Sequence, residues 1–405
     1  MTSATEKAAR TSYGRLLALL ASADRDIAGA EDALADAFER ALTTWPRDGV
    51  PANPDGWLLT AARNRQRDKW KSAERRTSVP LDPVQHAAHH LDTIDPDAIE
   101  DRRLQLMLVC AHPAIDSAMH TPLMLDVVLG CTAKEIARAF ALPPATLAAR
   151  LGRAKKRIRD AGIGFALPDK SVLPSRVDAV LAAVYGAFAI DWHSGGSELR
   201  ERLTGEALHL AETLCLLLPG DPEAHGLAAL ILLTTAREPA RYRDGVLVPL
   251  AAQDTEKWDA TAISRGEMHL RTAHGLGAVG RFQLEAAIEA VHCARRHRRI
   301  TDWATLHRLH DALQRLAPTK GGAVALAAVT AETDCAETGL DALDSIEQTE
   351  NFQPAWAVRA HLLDRLGRFP DAITAYEKAI SLSFDSPTRR YLRRRADVLL
   401  PSLQE

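Results

Sequence analysis

Three observations predict an all-α protein. Nearly every long segment carries apolar residues at helical spacing, alanine is abundant, and no stretch sustains the alternation of β-branched residues that a half-buried strand requires. At 405 residues the chain is long enough for two or three domains, each with its own core. Punctuation divides it. A helical block over residues 10–76 gives way to TSVPLDPVQHAAHHLDTIDPD, whose Pro80, Pro83 and Pro96 and lack of periodicity predict a flexible linker over 77–97. A second block spans 98–165. After ALPDKSVLP a long helical extension fills 166–350, with turns expected at LPGDPE and APTKGG, and a repeat-like segment with a last helix closes the chain over 351–400.

Composition narrows the class. Hydrophobic residues at 46% and charged residues at 25% are ordinary for a soluble protein, and apolar runs such as Leu227 to Leu233 are too short to span a bilayer. The N-terminus lacks a cleavage pattern, so a cytoplasmic location with no membrane partner is expected. Cys110, Cys131, Cys215, Cys293 and Cys335 are scattered, with no CxxC pair, and read as reduced, mostly buried thiols.

In the first block, AEDALADAFERAL turns Ala33, Leu34, Ala37 and Phe38 inward and leaves Glu31, Asp32, Asp36 and Glu39 as an acidic surface with no evident internal role. A Pro/Gly-rich loop, Thr43 to Gly56, follows. A helix starting near Asp55 then carries RNRQRDKWKSAERR, seven basic residues against Asp68 and Glu74, with Trp57 and Trp70 interleaved. Cations with aromatics suit a nucleic-acid backbone and unstacked bases.

The second block holds RLGRAKKRIR, residues 150–159, with six basic side chains and no acidic one in a chain of formal net charge −3. Upstream, a short helix with Ile136, Ala137 and Phe140 on one face is stopped at Leu142-Pro143, and Pro144 suits the first turn of a new helix. In that helix Leu147, Leu151, Ala154 and Ile158 form one stripe, while Thr146, Ala149, Arg153 and Lys156 project away. Helix, turn and basic helix is the pattern of a major-groove reader.

The order of these pieces, with the phrases SYGRLLALLA, WPRDGVPANPDGWLLTAARNR, LMLVCAHPAI and EIARAFALPPATLAARLGRAKKRIR, resembles bacterial extracytoplasmic-function sigma factors of the sigma-70 family. The resemblance is to the group with a long C-terminal helical extension, which is recognisable in ALILLTTAREPAR, FQLEAAIEAVH and ITDWATLHRLHDAL. It implies two small sigma-type domains, region 2 and region 4, and a large domain like tetratricopeptide repeats. It implies docking on the β and β′ subunits of RNA polymerase core through Glu31, Asp32, Asp36 and Phe38. It implies recognition of the −10 element and strand opening through Arg47, Asn53, Trp57, Arg63, Asn64 and Arg67, where a flipped base enters the loop. It implies reading of the −35 element of promoter DNA by Thr146, Ala149, Arg150 and Arg153, with Lys155, Lys156 and Arg157 on phosphates, and it implies no cofactor, no metal and no enzymatic activity.

Several positions depart from that pattern. A docking-helix glutamine is Ala35 here and the next glutamate is the shorter Asp36; in the extension YGAFAIDWHSGG, Tyr185 to Gly196, and VALAAVTAE replace the usual segments. In PAWAVRAHLLDRLGRFPDAITAYEKAISL, Trp356, Ala360, Gly367, Ala372, Tyr376 and Ala379 stand at the offsets of one tetratricopeptide repeat, whose groove would take a protein or peptide and so regulate activity in cis. An alternative reading, a helix-turn-helix regulator with a repeat-type sensor, leaves the acidic helix and the Trp57 to Asp68 pattern without purpose. A metal enzyme built on His292, Cys293, His297, His307 and His310 lacks an oriented carboxylate ligand.

Overall fold

The structure, a computed structural model, describes residues 2–77, 101–140, 142–165, 173–193 and 197–400. The predicted linker therefore lies, from residue 78 on, outside the described residues, as does most of ALPDKSVLP. The fold is all-α, as the periodicity predicts. Two compact units are present, Met1–Asp191 with Glu198–Ala207 and Trp192–Ser197 with Leu208–Glu405.

The first unit opens with α1 (Thr2–Asp24), α2 (Ile27–Asp48) and α3 (Pro54–Thr77). Arg25 adopts a left-handed conformation, φ 60°, which ends α1. In α2 the residues Ile27, Ala30, Ala33, Leu34, Ala37, Ala41 and Trp45 are buried at the three-and-four spacing of one helical stripe. That stripe corrects the expected loop: α2 continues through Pro46 to Asp48, because Trp45, 2% exposed, anchors its last turn and the Gly49 amide, at φ 89°, donates back to the Trp45 carbonyl at 3.1 Å. Phe140, expected inward, is 39% exposed.

Among the described residues the α-helices that follow are α4 (Arg103–Cys110), α5 (His120–Val127), α6 (Ala133–Ala139) and α7 (Pro144–Asp160). Thr132 and Glu135 form a reciprocal capping box on α6, and Pro144 occupies the first turn of α7. Gly14 of α1 lies so close to the Val128 carbonyl that a Cβ would collide with it. Helices α1 to α3 and α4 to α7 thus pack into one body. It also takes in α8 (Pro174–His193), where Val177, Val180, Leu181, Val184, Ala187 and Phe188 are buried and Arg176 donates to the Leu108 carbonyl at 3.0 Å. The next helix, α9 (Ser197–Leu217), contains the boundary between the units.

In the second unit α10 (Pro222–Thr235) is buried on nearly every side, so the LAALILL run is a core helix. Asp221 caps it, accepting from Glu223 N at 2.9 Å and Ala224 N at 3.0 Å. A two-residue hairpin, β1 (Tyr242–Arg243) and β2 (Val246–Leu247), turns at Asp244-Gly245, both with positive φ. Then come α11 (Ala260–Gly275), α12 (Arg281–Cys293), α13 (Trp303–Leu316), α14 (Lys320–Thr333), α15 (Ala336–Asp344), α16 (Gln353–Arg365), α17 (Phe369–Leu382) and α18 (Ser386–Leu399). Ala360, Ala372, Tyr376 and Ala379 are buried between α16 and α17, with Gly367 at φ 69° in the turn, and Trp356 is half-buried against the same core. The five cysteines are free, four of them buried and Cys335 exposed. No described helix is long and apolar enough to cross a membrane.

Candidate polymerase and nucleic-acid interface

The acidic residues of α2 do not stand alone. Lys69 of α3 donates to Asp32 at 3.0 Å, and Arg65 of α3 pairs with Asp36. Both pairs are largely exposed, with Asp32 at 71%, so solvent and salt screen them and a partner can displace them at little cost. Glu31 differs. It accepts from Lys155 of α7 at 2.6 Å, and the same ammonium meets Asp126 of α5 at 2.7 Å, in a site where the three side chains are 12–22% exposed. Burial alone would lower the Lys155 pKa, but Asp126 and Glu31 outweigh it and hold the ammonium above its ordinary range. These contacts correct the expectation that the carboxylates lack an internal role, and they withdraw Lys155 from the phosphate-facing set in this conformation. One turn on, Arg159 approaches Asp26 at 3.3 Å, so Lys155 and Arg159 together fasten α7 to the α2 end of the body. Phe38 is half-buried.

Between the end of α2, the loop at residues 49–53 and the start of α3 lies a pocket of about 590 Å³. Arg40, Thr44, Asn53, Trp57, Thr60 and Asn64 are among its lining residues. Trp57 stands edge-on to the buried Trp45 at 5.6 Å, and Asn53 accepts from Gly56 N at 2.9 Å to start α3, so one aromatic ring and the side-chain amides of Asn53 and Asn64 line the pocket together. Arg47 is exposed close by in sequence, and Arg67 is half-buried. Arg63 is a correction. It is 6% exposed because Leu59, Ala62, Arg63 and Gln66 share the inward face of α3, and burial, with Arg67 nearby, pulls its pKa down. The side chains of Trp70, Glu74, Arg75 and Arg76 lie outside the described residues.

On α7 the packing stripe is as expected: Leu147, Leu151, Ala154 and Ile158 are buried. Thr146, Ala149, Arg150, Arg153, Lys156 and Arg157 are exposed, so six of the seven residues assigned to the −35 face share a solvent surface opposite the stripe.

The basic and histidine-rich stretch after α12 has structural work. Arg295 donates to the Leu250 carbonyl at 2.6 Å, and Arg296 to those of Thr255 at 2.8 Å and Trp258 at 2.7 Å, gripping the loop before α11. His292 is pushed down to about 3 by burial and by Arg237, His310 and Arg295. Among the described residues the group able to hold a metal ion is a different one, Cys215, His225 and His269. Sequence reading missed it because its members come from three helices, at no motif spacing. It also missed Asp126, which reads as an ordinary polar position in α5, and the buried carboxyl of Asp24, which accepts from Gln66 Nε2 at 2.9 Å and is raised to about 7 by burial first.

Comparison with known proteins places these helices. Residues 9–76, covering α1 to α3, match sigma-70 region 2, the part of that family that contacts RNA polymerase core. Residues 176–274, from α8 to α11, match a family of unknown function, DUF6596. A protein of Rhizobium meliloti (strain 1021) named Uncharacterized protein R00370 is 32% identical over 384 residues, covering 93% of this chain and 91% of its own length. No solved structure matches. The chain therefore belongs to one family with the Rhizobium meliloti protein and, by its N-terminal sigma-70 region 2, has a sigma-factor-like role in transcription initiation.

Proposed function

We propose that the protein is an RNA polymerase sigma factor of extracytoplasmic-function type. The observation that carries this reading is the pocket at the α2–α3 junction, inside the segment that matches sigma-70 region 2, with Trp57, Asn53 and Asn64 among its lining residues. A base taken from the stack needs an aromatic surface and hydrogen-bond groups for its edge, and separating strands costs a few kcal/mol per unstacked step, which such a pocket offsets. In this reading Asp32 and Asp36, with Phe38 behind them, dock on the β′ subunit of core polymerase. Arg47, Asn53, Trp57, Asn64 and Arg67 engage the −10 strand. The exposed face of α7 reads the −35 element: Arg153 is suited to a bidentate guanine contact, and Arg150, Lys156 and Arg157 are suited to phosphates.

Lys155 and Glu31 then act as a latch. While they pair, α7 covers one end of the docking helix, and engagement with polymerase exchanges that contact for intermolecular ones. The helical extension regulates the factor in cis, a reading supported by the packing of α8 into the first unit through Arg176 and its apolar stripe. Its last helix pair, α16 and α17, is tetratricopeptide-like and offers a surface to a protein or peptide.

The test pairs Asp32→Lys with Asp36→Lys in the full chain and follows co-purification with core polymerase and promoter-specific transcription. Because both residues sit in exposed pairs, circular dichroism should be unchanged while core binding is lost. Unchanged binding by the folded double variant would remove the docking assignment. Sequence-specific binding to promoter duplex by the wild-type chain, with no transcription when core polymerase is supplied, would favour the helix-turn-helix regulator.

A further inference from the structure

Three helices of the second unit bring a thiol and two imidazoles together. Cys215 lies in the last turn of α9, His225 in the first turns of α10 and His269 on α11, with their ligand atoms all within 4.8 Å of one another. His225 Nδ1 and His269 Nδ1 are 3.0 Å apart, and Cys215 is 6% exposed.

The backbone fixes that spacing. A Cβ on Gly226, the neighbour of His225, would sit 2.6 Å from the Gln283 amide nitrogen of α12. A Cβ on Gly266, three residues before His269, would sit 2.7 Å from Leu233 Cγ of α10. Helix α10 is thus held at contact distance by both α11 and α12, and Glu223 locks its register by accepting from Phe282 N at 2.8 Å and Gln283 N at 3.0 Å.

The two imidazoles face each other through Nδ1, an arrangement that holds a single proton between two lone pairs and that a cation would engage from both sides. Burial also pushes the Cys215 thiol up to about 12, so it is no nucleophile on its own. A tetrahedral zinc ion with Zn–N bonds of about 2.0–2.1 Å places two ligating nitrogens roughly 3.3 Å apart, a few tenths of an ångström beyond the observed spacing. We propose that Cys215, His225 and His269 bind one zinc ion, the thiol giving up its proton to the solvent as the Zn–S bond forms. One thiolate with two imidazoles suits zinc and excludes the hard cations calcium and magnesium. The ion pair of Glu212 with Arg265 bridges α9 and α11, Glu212 three residues before Cys215 and Arg265 four before His269, and its carboxylate is close enough to act electrostatically on both ligands. The site falls within residues 176–274, matched by the family of unknown function, and would give the extension a metal-responsive clamp on α9, α10 and α11 independent of any promoter-binding role.

Full-length protein stripped with a chelator and titrated with zinc by calorimetry should take up one ion per chain, and cobalt should give a tetrahedral visible spectrum with a thiolate charge-transfer band in the near ultraviolet. His269→Gln should weaken zinc binding roughly a hundredfold or more, beyond the loss typical of an outer-shell partner, and Cys215→Ser should abolish the charge-transfer band with the helical circular dichroism unchanged. Absence of stoichiometric zinc uptake, or equal affinity in folded His269→Gln, would overturn the site. If either variant failed to fold, the wild-type cobalt spectrum alone would decide: a missing thiolate band refutes the proposal.

Discussion

Two helix joints in this protein are made in opposite ways. Where α7 meets α2 and α5, one ammonium lies between two carboxylates, Lys155 between Glu31 and Asp126, with Arg159 and Asp26 beside it. Where α10 meets α12, the contact is backbone against backbone at Gly226 and Gln283, with Glu223 supplying the cap. A charge-made joint can be traded, because another cation or anion can take over either half. A joint made by close approach of main chains cannot, since nothing else fits the gap. The difference matches the roles proposed for the regions: a DNA-binding body that must rearrange on polymerase, and a helical core that holds fixed geometry.

The largest expected effect comes from filling the backbone joint. Gly226→Val forces a branched side chain against the Gln283 main chain, and an overpacked core costs about 3 kcal/mol or leaves the second unit unfolded. Chemical denaturation followed by circular dichroism should show the loss, and it should not depend on salt. A tolerated valine would break the contrast at its firmer end.

Next is Lys155→Met. Removing the ammonium leaves Glu31 and Asp126 facing each other in a site 12–22% exposed, and breaking a buried pair costs up to about 3–5 kcal/mol, reduced here by partial exposure to about 2 kcal/mol. The wild-type joint should loosen as salt is raised and the variant should be less salt-sensitive, read by solution scattering and by denaturation at two ionic strengths. Equal salt dependence in both proteins would mean that the apolar stripe of α7, not Lys155, makes the joint.

Smallest and most pH-specific is Asp24→Asn at the junction of α1 and α3. The Asp24 carboxyl, raised by burial from 3.8 to about 7, binds its proton more tightly in the folded state. Its contribution to stability is therefore complete below the unfolded value near 3.8 and is lost as pH rises through about 7. The asparagine variant should be more stable than wild type at pH 8, on the order of 2 kcal/mol, with the gain shrinking toward pH 4. A gain independent of pH would show that the residue acts through packing.

Much of this was legible in the sequence because it depends on local spacing. The stripe of α2, the stop at Leu142-Pro143, the start at Pro144 and the turns at LPGDPE and APTKGG follow from residues within one or two turns of each other, where helical period and missing amides decide the outcome. The exposed face of α7 follows from the same arithmetic. Some local calculations failed where a distant group intervened: α2 runs past Pro46 because Trp45 is anchored in the core, and Arg63 turns inward although its neighbours in RNRQR suggest a basic surface.

What the sequence determined by itself was the all-α class, the acidic face of α2, and the short helix and basic helix on either side of the Leu142-Pro143 stop. Only the tertiary structure decided which charges remain for partners and which are consumed internally. Lys155 and Glu31 are 124 positions apart, and the Cys215–His225–His269 cluster draws on three helices, so no periodicity or motif spacing encodes either meeting. Helical period fixes the direction in which a side chain leaves its own helix; which neighbour waits there is set by the packing of helices far apart in the chain.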